Sequence, residues 1–188
     1  MRMARGDMAT ARYGRVAMVF HWTIAALIGV NLAIGLGHDT LFDGWVWLHK
    51  SIGLTVLALS LARLAWRLCH RPPPLPSEVP EWQRRLAHGV HWGLYGLMVA
   101  LPLTGWVFTS ASATPRPTTF GLFAVPPLPV GADAAVNADV RSAHALLAYC
   151  MLALIALHVA GALKHQLLDR VLILDRMLPT VREARRSI

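Results

Sequence analysis

Four stretches of about twenty apolar residues, approximately 16–36, 45–67, 87–109 and 143–164, constrain this chain more than any other feature of it. At about 1.5 Å of rise per helical residue, each is long enough to cross the roughly 30 Å hydrocarbon layer of a bilayer. A helix of a soluble bundle turns a polar face to water on every turn, whereas these runs are apolar nearly all round, interrupted by histidines and small residues. The pattern predicts an all-α fold, an integral membrane four-helix bundle. Composition agrees, with 55% hydrophobic and only 15% charged residues among 188. The first run is too long for the apolar core of a signal peptide, and Gly35-Leu-Gly-His-Asp-Thr after it offers no A-x-A-like cleavage site, so it is expected to be retained.

A net charge of +8 invites a nucleic-acid reading, but the position of the charges decides against it. Arg2, Arg5, Arg12 and Arg15 precede the first span. Arg63, Arg67, Arg71, Arg84 and Arg85 surround the second connection, and Lys164, Arg170, Arg176, Arg182, Arg185 and Arg186 close the chain. The other side holds Lys50, Arg116 and Arg141 alone. The positive-inside rule then predicts both termini in the cytoplasm and the loops around Asp39 and Pro126 outside. The basic excess is explained by the lipid bilayer, with no nucleic acid as partner.

The expected organisation is a single membrane domain over 1–188, with a proline-rich cytoplasmic linker at 71–81, an outer loop at 110–140 and a cytoplasmic tail at 165–188. The linker, Arg71-Pro-Pro-Pro-Leu-Pro-Ser-Glu-Val-Pro, should be an extended, stiff strap. The outer loop, rich in Pro, Gly and Ala, is expected to fold over the outer face, and Pro102 inside the third span to kink it. Cys69 and Cys150 lie in different apolar segments and outside any C-x-x-C or C-x-x-C-H pattern, which argues against both a disulfide framework and covalently attached haem.

Several of the nine histidines fall within the spans, where an ionisable side chain is costly and usually functional. His21 lies a few residues past the inner boundary of the first span, and His49 just inside the outer boundary of the second. The fourth span enters at His144 and reaches His158 fourteen residues later, about 21 Å of rise with both side chains on one face. His49 and His144 should therefore share an outer level, and His21 and His158 an inner one. Imidazole is an ordinary axial ligand of haem iron, and facing helices of a bundle can clamp the macrocycle, so two stacked haems suit this arrangement. Gly29, Gly53, Gly96 and Gly161 supply room for a flat ring or for close helix packing. With both axial positions filled, the expected chemistry is electron transfer.

Other readings of the same residues have to be weighed. One membrane histidine is accounted for by a backbone hydrogen bond or a water cavity; four paired by depth are not. A membrane transporter using these intramembrane histidines as a proton relay stays open as an alternative, although no Asp or Glu lies deep in a span to support it. Zinc would call for a compact cluster or H-E-x-x-H, and the chain has neither. His91, three residues after His88 on the third span, lies at a depth from which it too can reach an inner haem, and spacing alone leaves it open as a ligand. His88, His38 and His70 read as interfacial or loop residues, and His165 as a residue of the cytoplasmic edge, at which a propionate or quinone contact is one reading.

Taken in order, Arg12-Tyr13, His21-Trp22, His49-Lys50-Ser51-x-Gly53, Arg63, His88-x-x-His91, Leu94-Tyr95, Pro102-Leu-Thr-Gly-Trp106, His144, His158 and Lys164-His165 resemble the bacterial cytochrome b561 family over about residues 10–180. The resemblance implies two non-covalent b haems in a bacterial inner membrane. One is held by His21 and His158 and the other by His49 and His144, with quinone as electron partner and His91 outside the ligand set. His91, Arg63, Lys50, Arg141 and His165 are the expected secondary contacts to haem or quinone. Two departures stand out: Val171-Leu-Ile-Leu174 follows Asp169-Arg170 where relatives have a short Asp-Gly turn, and Ala145 follows His144 where relatives often carry Glu. The resemblance also raises superoxide:quinone oxidoreduction, for which Lys50, Arg116 and Arg141 are the outer cations, although Lys50 and Arg141 equally suit haem propionates. A haem subunit of a larger dehydrogenase or hydrogenase, reduced by a protein donor, is the other form of the same chemistry.

Overall fold

The computed structural model describes residues 12–37, 45–74, 76, 78–114, 118–119 and 124–178. Its architecture is four long helices, α1 (Arg15–Leu36), α2 (Trp45–Cys69), α3 (Glu81–Ser110) and α4 (Ala134–Leu163). A two-residue antiparallel pair, β1 (Thr118–Thr119) with β2 (Ala124–Val125), lies in the connection before α4. All four helices are long and apolar enough to cross a membrane. His38, Asp39 and Arg116, and the charges before Arg12 and after Leu178, lie outside the described residues.

α3 and α4 run beyond their apolar stretches, starting at Glu81 and Ala134 where hydropathy alone put starts near 87 and 143. Local chemistry explains both extensions. Pro80 precedes the first turn of α3, where a missing N–H further along would be costly but a fixed φ before the helix is not. Asp133 caps α4, its Oδ1 accepting from the backbone N–H of Ala135 at 2.9 Å and of Val136 at 3.0 Å. Pro102 is accommodated within a continuous α3.

Close helix packing runs α1 on α2, α2 on α3 and α3 on α4, while among the described residues α4 has no comparable packing on α1 or α2. The core is small: Ile24, Tyr95, Met98 and Met151, joined by half-buried residues such as Phe20, Ile28, Leu97 and Ile155. Met151 lies seven residues from both His144 and His158, so this apolar layer separates the two histidine levels. Elsewhere the helices turn large apolar side chains outward, Val19 at 66% and Leu146 at 64% exposure among them. Such a surface belongs in lipid, where a helix also satisfies every backbone polar group within itself.

The two ends are tied by polar contacts. At one end the connection after α3 folds back: Trp106 Nε1 donates to the Pro126 carbonyl (3.1 Å), Leu128 N–H to Ser110 Oγ (2.9 Å) and Asn137 Nδ2 to the Phe108 carbonyl (2.6 Å), with β1 packed against α2. At the other end α4 passes into one π-helical turn, Lys164–Leu168, and then a 3₁₀ turn, Leu174–Arg176. The Tyr13 N–H donates to the Arg176 carbonyl (3.1 Å), the Trp22 indole to the Met177 carbonyl (2.8 Å), and the Arg12 guanidinium to the Leu178 carbonyl. The buried Arg176 guanidinium in turn donates to the Pro74 carbonyl (2.9 Å), fastening the proline strap to the C-terminal segment.

Candidate functional site: two paired histidine levels

Because α1 and α2 run in opposite directions, His21 and His49 come to lie near opposite ends of the bundle, and α4 presents one histidine to each. His49 and His144 face each other with ring centroids 6.2 Å apart and an interplanar angle of 78°. His21 and His158 also lie 6.2 Å apart, at 70°. Two imidazoles bound to opposite faces of one metal through nitrogen bonds of about 2 Å hold their ring centres about 6 Å apart. Both pairs thus have the spacing of axial ligands. The pairs bridge α2 to α4 and α1 to α4, the helix pairs that lack close packing.

The level of His49 and His144 is oriented by backbone. His49 Nδ1 lies 3.2 Å from the Asn31 carbonyl, and His144 Nδ1 lies 3.0 Å from the Leu101 carbonyl and 3.0 Å from Thr104 Oγ1. A carbonyl can only accept, so each Nδ1 carries the proton and each Nε2 keeps its lone pair, the tautomer a metal ligand needs. Thr104 donates to the same Leu101 carbonyl at 2.9 Å, holding the group together. Two glycines make these ring positions accessible: a Cβ at Gly35 would stand 3.0 Å from His49 Cε1, and one at Gly105 would stand 3.2 Å from His144 Cε1. From sequence, Asn31 and Gly35 had no place in the site, and Thr104 and Gly105 stood only within the Pro102-Leu-Thr-Gly-Trp106 motif, with no role of their own. Regular small-residue spacing in membrane helices is too common to pick these two glycines from the rest.

At the other level three histidines meet. His91 lies 5.1 Å from His158, closer than opposite axial ligands stand, whereas His21 lies at the axial distance. His21 buries Nδ1 with no hydrogen-bond partner, a cost that protein packing alone leaves uncompensated. Arg63 is within electrostatic reach of His21, His91 and His158 and rests on the Tyr95 ring, 5.6 Å from its centroid. Among the glycines flagged by sequence, a Cβ at Gly29, Gly96 or Gly161 would meet nothing within 4 Å, and one at Gly53 would meet the Asn31 amide at 3.6 Å.

The remaining flagged residues divide by location. Lys50 follows His49 and is half-buried, while Arg141 is exposed one turn before His144. His165 Nδ1 pairs with Asp169 at 2.8 Å in the π-helical turn, where Lys164 Nζ binds the same carboxylate at 2.6 Å. Lys164 above all, with His165, holds the Asp169 carboxyl below the usual carboxylate range. His88 accepts from the Trp92 indole on its own helix (2.9 Å), and His70 stacks on Trp66 at 3.7 Å.

Among the described residues no group of three or more His, Cys, Asp or Glu side chains converges as a metal cage. A facing pair of imidazoles is too small a set for a bare ion but suits a macrocycle that would bring nitrogens of its own. The fold and the site thus define a membrane haem protein of electron transport. A family model described as prokaryotic cytochrome b561 matches residues 12–180, and the chain belongs to that family. It is 38% identical to cytochrome b561 homolog 2 of Escherichia coli over 89% of this chain and 91% of the relative. It is 26% identical to a probable superoxide oxidase CybB of Yersinia pestis (91% and 98%), and 28% identical to cytochrome b562 of Cereibacter sphaeroides (86% and 92%).

Proposed function

We propose that the chain is a di-haem b-type cytochrome of the bacterial inner membrane that carries electrons across the bilayer and exchanges them with the quinone pool. His49 and His144 hold one haem, His21 and His158 the other. The observation that carries this reading is the matched 6.2 Å separation of the two histidine pairs on either side of one apolar layer. When bound, the haems supply reversible one-electron storage at two depths. The chain fixes the imidazole tautomer through the Asn31 and Leu101 carbonyls and excludes water between the levels with Ile24, Met98 and Met151. Each haem would be held by two imidazoles, and the chemistry it would then supply is electron transfer. His91 and Arg63 flank the inner pair, where Arg63 is suited to a haem carboxylate. The arginine and lysine distribution favours cytoplasmic termini, placing Lys50 and Arg141 outside with the His49–His144 level.

A reduced-minus-oxidised spectrum with a haem count on purified protein tests this: about two b haems per chain are expected, and one or none would end the di-haem assignment. The relative named as a probable superoxide oxidase favours superoxide as an electron donor. Mixing superoxide with the oxidised protein and a quinone is then expected to reduce the haems faster than superoxide dismutes. Reduction no faster than dismutation would leave a protein donor, as in a haem subunit of a larger complex.

A further inference from the structure

Arg63, Arg67 and Arg71 recur every fourth residue through the end of α2 and into the strap. Arg63 and Arg67, both on α2, are thereby set side by side, an unfavourable arrangement unless something negative lies between them, and Arg71 follows just past the helix end. All three line one cavity of about 250 Å³, together with Tyr13, Trp66 and His70. Arg63 and Arg67 converge on a single ring, their guanidinium carbons 5.6 and 5.7 Å from the Tyr95 centroid. Among the described residues no carboxylate pairs with any of the three; at this end Glu81 pairs with Arg85, Asp169 with Lys164 and His165, and Asp175 accepts from Gln166. Guanidinium groups present forked donors that match phosphate oxygens, and basic pockets between membrane helices are suited to anionic headgroups.

The position of the cavity narrows the ligand. It sits where α2 ends at Cys69, at the end of the second apolar span, and its walls include the aromatic rings of Tyr13 and Trp66 and the side of Met177. A polar anion with an attached apolar body fits walls of that kind. We infer that this cavity binds the phosphodiester headgroup of an anionic phospholipid, with the phosphate held by Arg67 and Arg71. Arg63, on the wall toward the inner histidines, is left to the haem carboxylate, and the phosphate site is that of Arg67 and Arg71.

Native mass spectrometry of the haem-loaded, full-length protein in a mild detergent, doped with phosphatidylglycerol or with phosphatidylcholine, tests it. The expected result is one phosphatidylglycerol adduct per chain, at least about fivefold more abundant than the phosphatidylcholine adduct and reduced about fivefold in the Arg67→Gln/Arg71→Gln variant. Haem absorbance per chain should be the same in both proteins. The single variant Arg71→Gln, altered beyond the helix end, carries the same expectation in weaker form should the double variant fail to accumulate. Equal adducts in wild type and variant would overturn the proposal. Removal of the adduct by millimolar inorganic phosphate with no preference for phosphatidylglycerol would assign the cavity to free phosphate, and loss of haem from the variants would assign these arginines to the haem carboxylates.

Discussion

At the scale of single residues, the site turns on which nitrogen of each histidine is left with a lone pair. Backbone carbonyls settle that for His49 and His144, so replacing either imidazole should remove one haem and leave the other. His144→Ala is expected to lower the haem count from about two to about one per chain, measured by pyridine haemochrome. His91→Gln should keep both haems, because its ring stands 5.1 Å from His158 rather than at the axial separation, while His158→Gln should lose one. Gly105→Val would drive a branched side chain toward a ring whose Cε1 already stands 3.2 Å from a modest Cβ. Overpacking of that kind costs about 1–3 kcal/mol and should appear as lost haem at the level of His144, with the spectrum of the other level intact. The histidines themselves were legible in the sequence from their depth in apolar spans. Gly35, Gly105 and the Leu101 carbonyl were not, since a close approach between helices leaves no mark on either helix's own pattern.

At the scale of elements, the turn after α4 departs from regular helix, first as a π turn and then at Arg170. Arg170 adopts φ 55°, the left-handed conformation that glycine takes without a Cβ penalty and that other residues reach at about 1–2 kcal/mol. Arg170→Gly should therefore leave thermal stability of the detergent-solubilised protein unchanged or slightly raised. Arg170→Val should lower it by about 1–2 kcal/mol, since a β-branched side chain is least compatible with positive φ. The same turn carries the Asp169 contacts to Lys164 and His165. The carboxyl is held below its ordinary value of about 3.9, so its contribution is complete above that pH and is lost only as pH falls through the lower, folded value. Amide exchange across Lys164–Asp169, corrected for intrinsic rates, should accelerate as pH falls below about 4. Asp169→Asn should show the accelerated exchange at every pH. The ends of α3 and α4 lay beyond the reach of hydropathy because Pro80 and the Asp133 cap, not apolar content, set them.

At the scale of the whole molecule, a bundle with so little buried apolar surface depends on lipid outside it and on what is held between its helices. Fluorescence of a C-terminal green fluorescent protein fusion, against activity of a periplasmic reporter at the same point, tests the orientation. Strong fluorescence and an inactive reporter are expected from the charge distribution, and the reverse would invert the assignment of outer and inner levels. The proline-rich linker at 71–81 was expected from sequence as a stiff strap, but the fastening of Pro74 to the C-terminal segment through Arg176 was not legible, because a contact across 102 residues has no local signature. What the sequence determined by itself was the bilayer, the four spans and the two depths of histidine, since each depends on residue type and spacing along one helix. Only the tertiary structure decided that α4 stands apart from α1 and α2, and that His21, rather than His91, faces His158 at 6.2 Å. Depth is fixed by position along a helix, but partnership across a bundle depends on how each helix is rotated about its axis, and helices that are apolar nearly all round carry no stripe that announces that rotation.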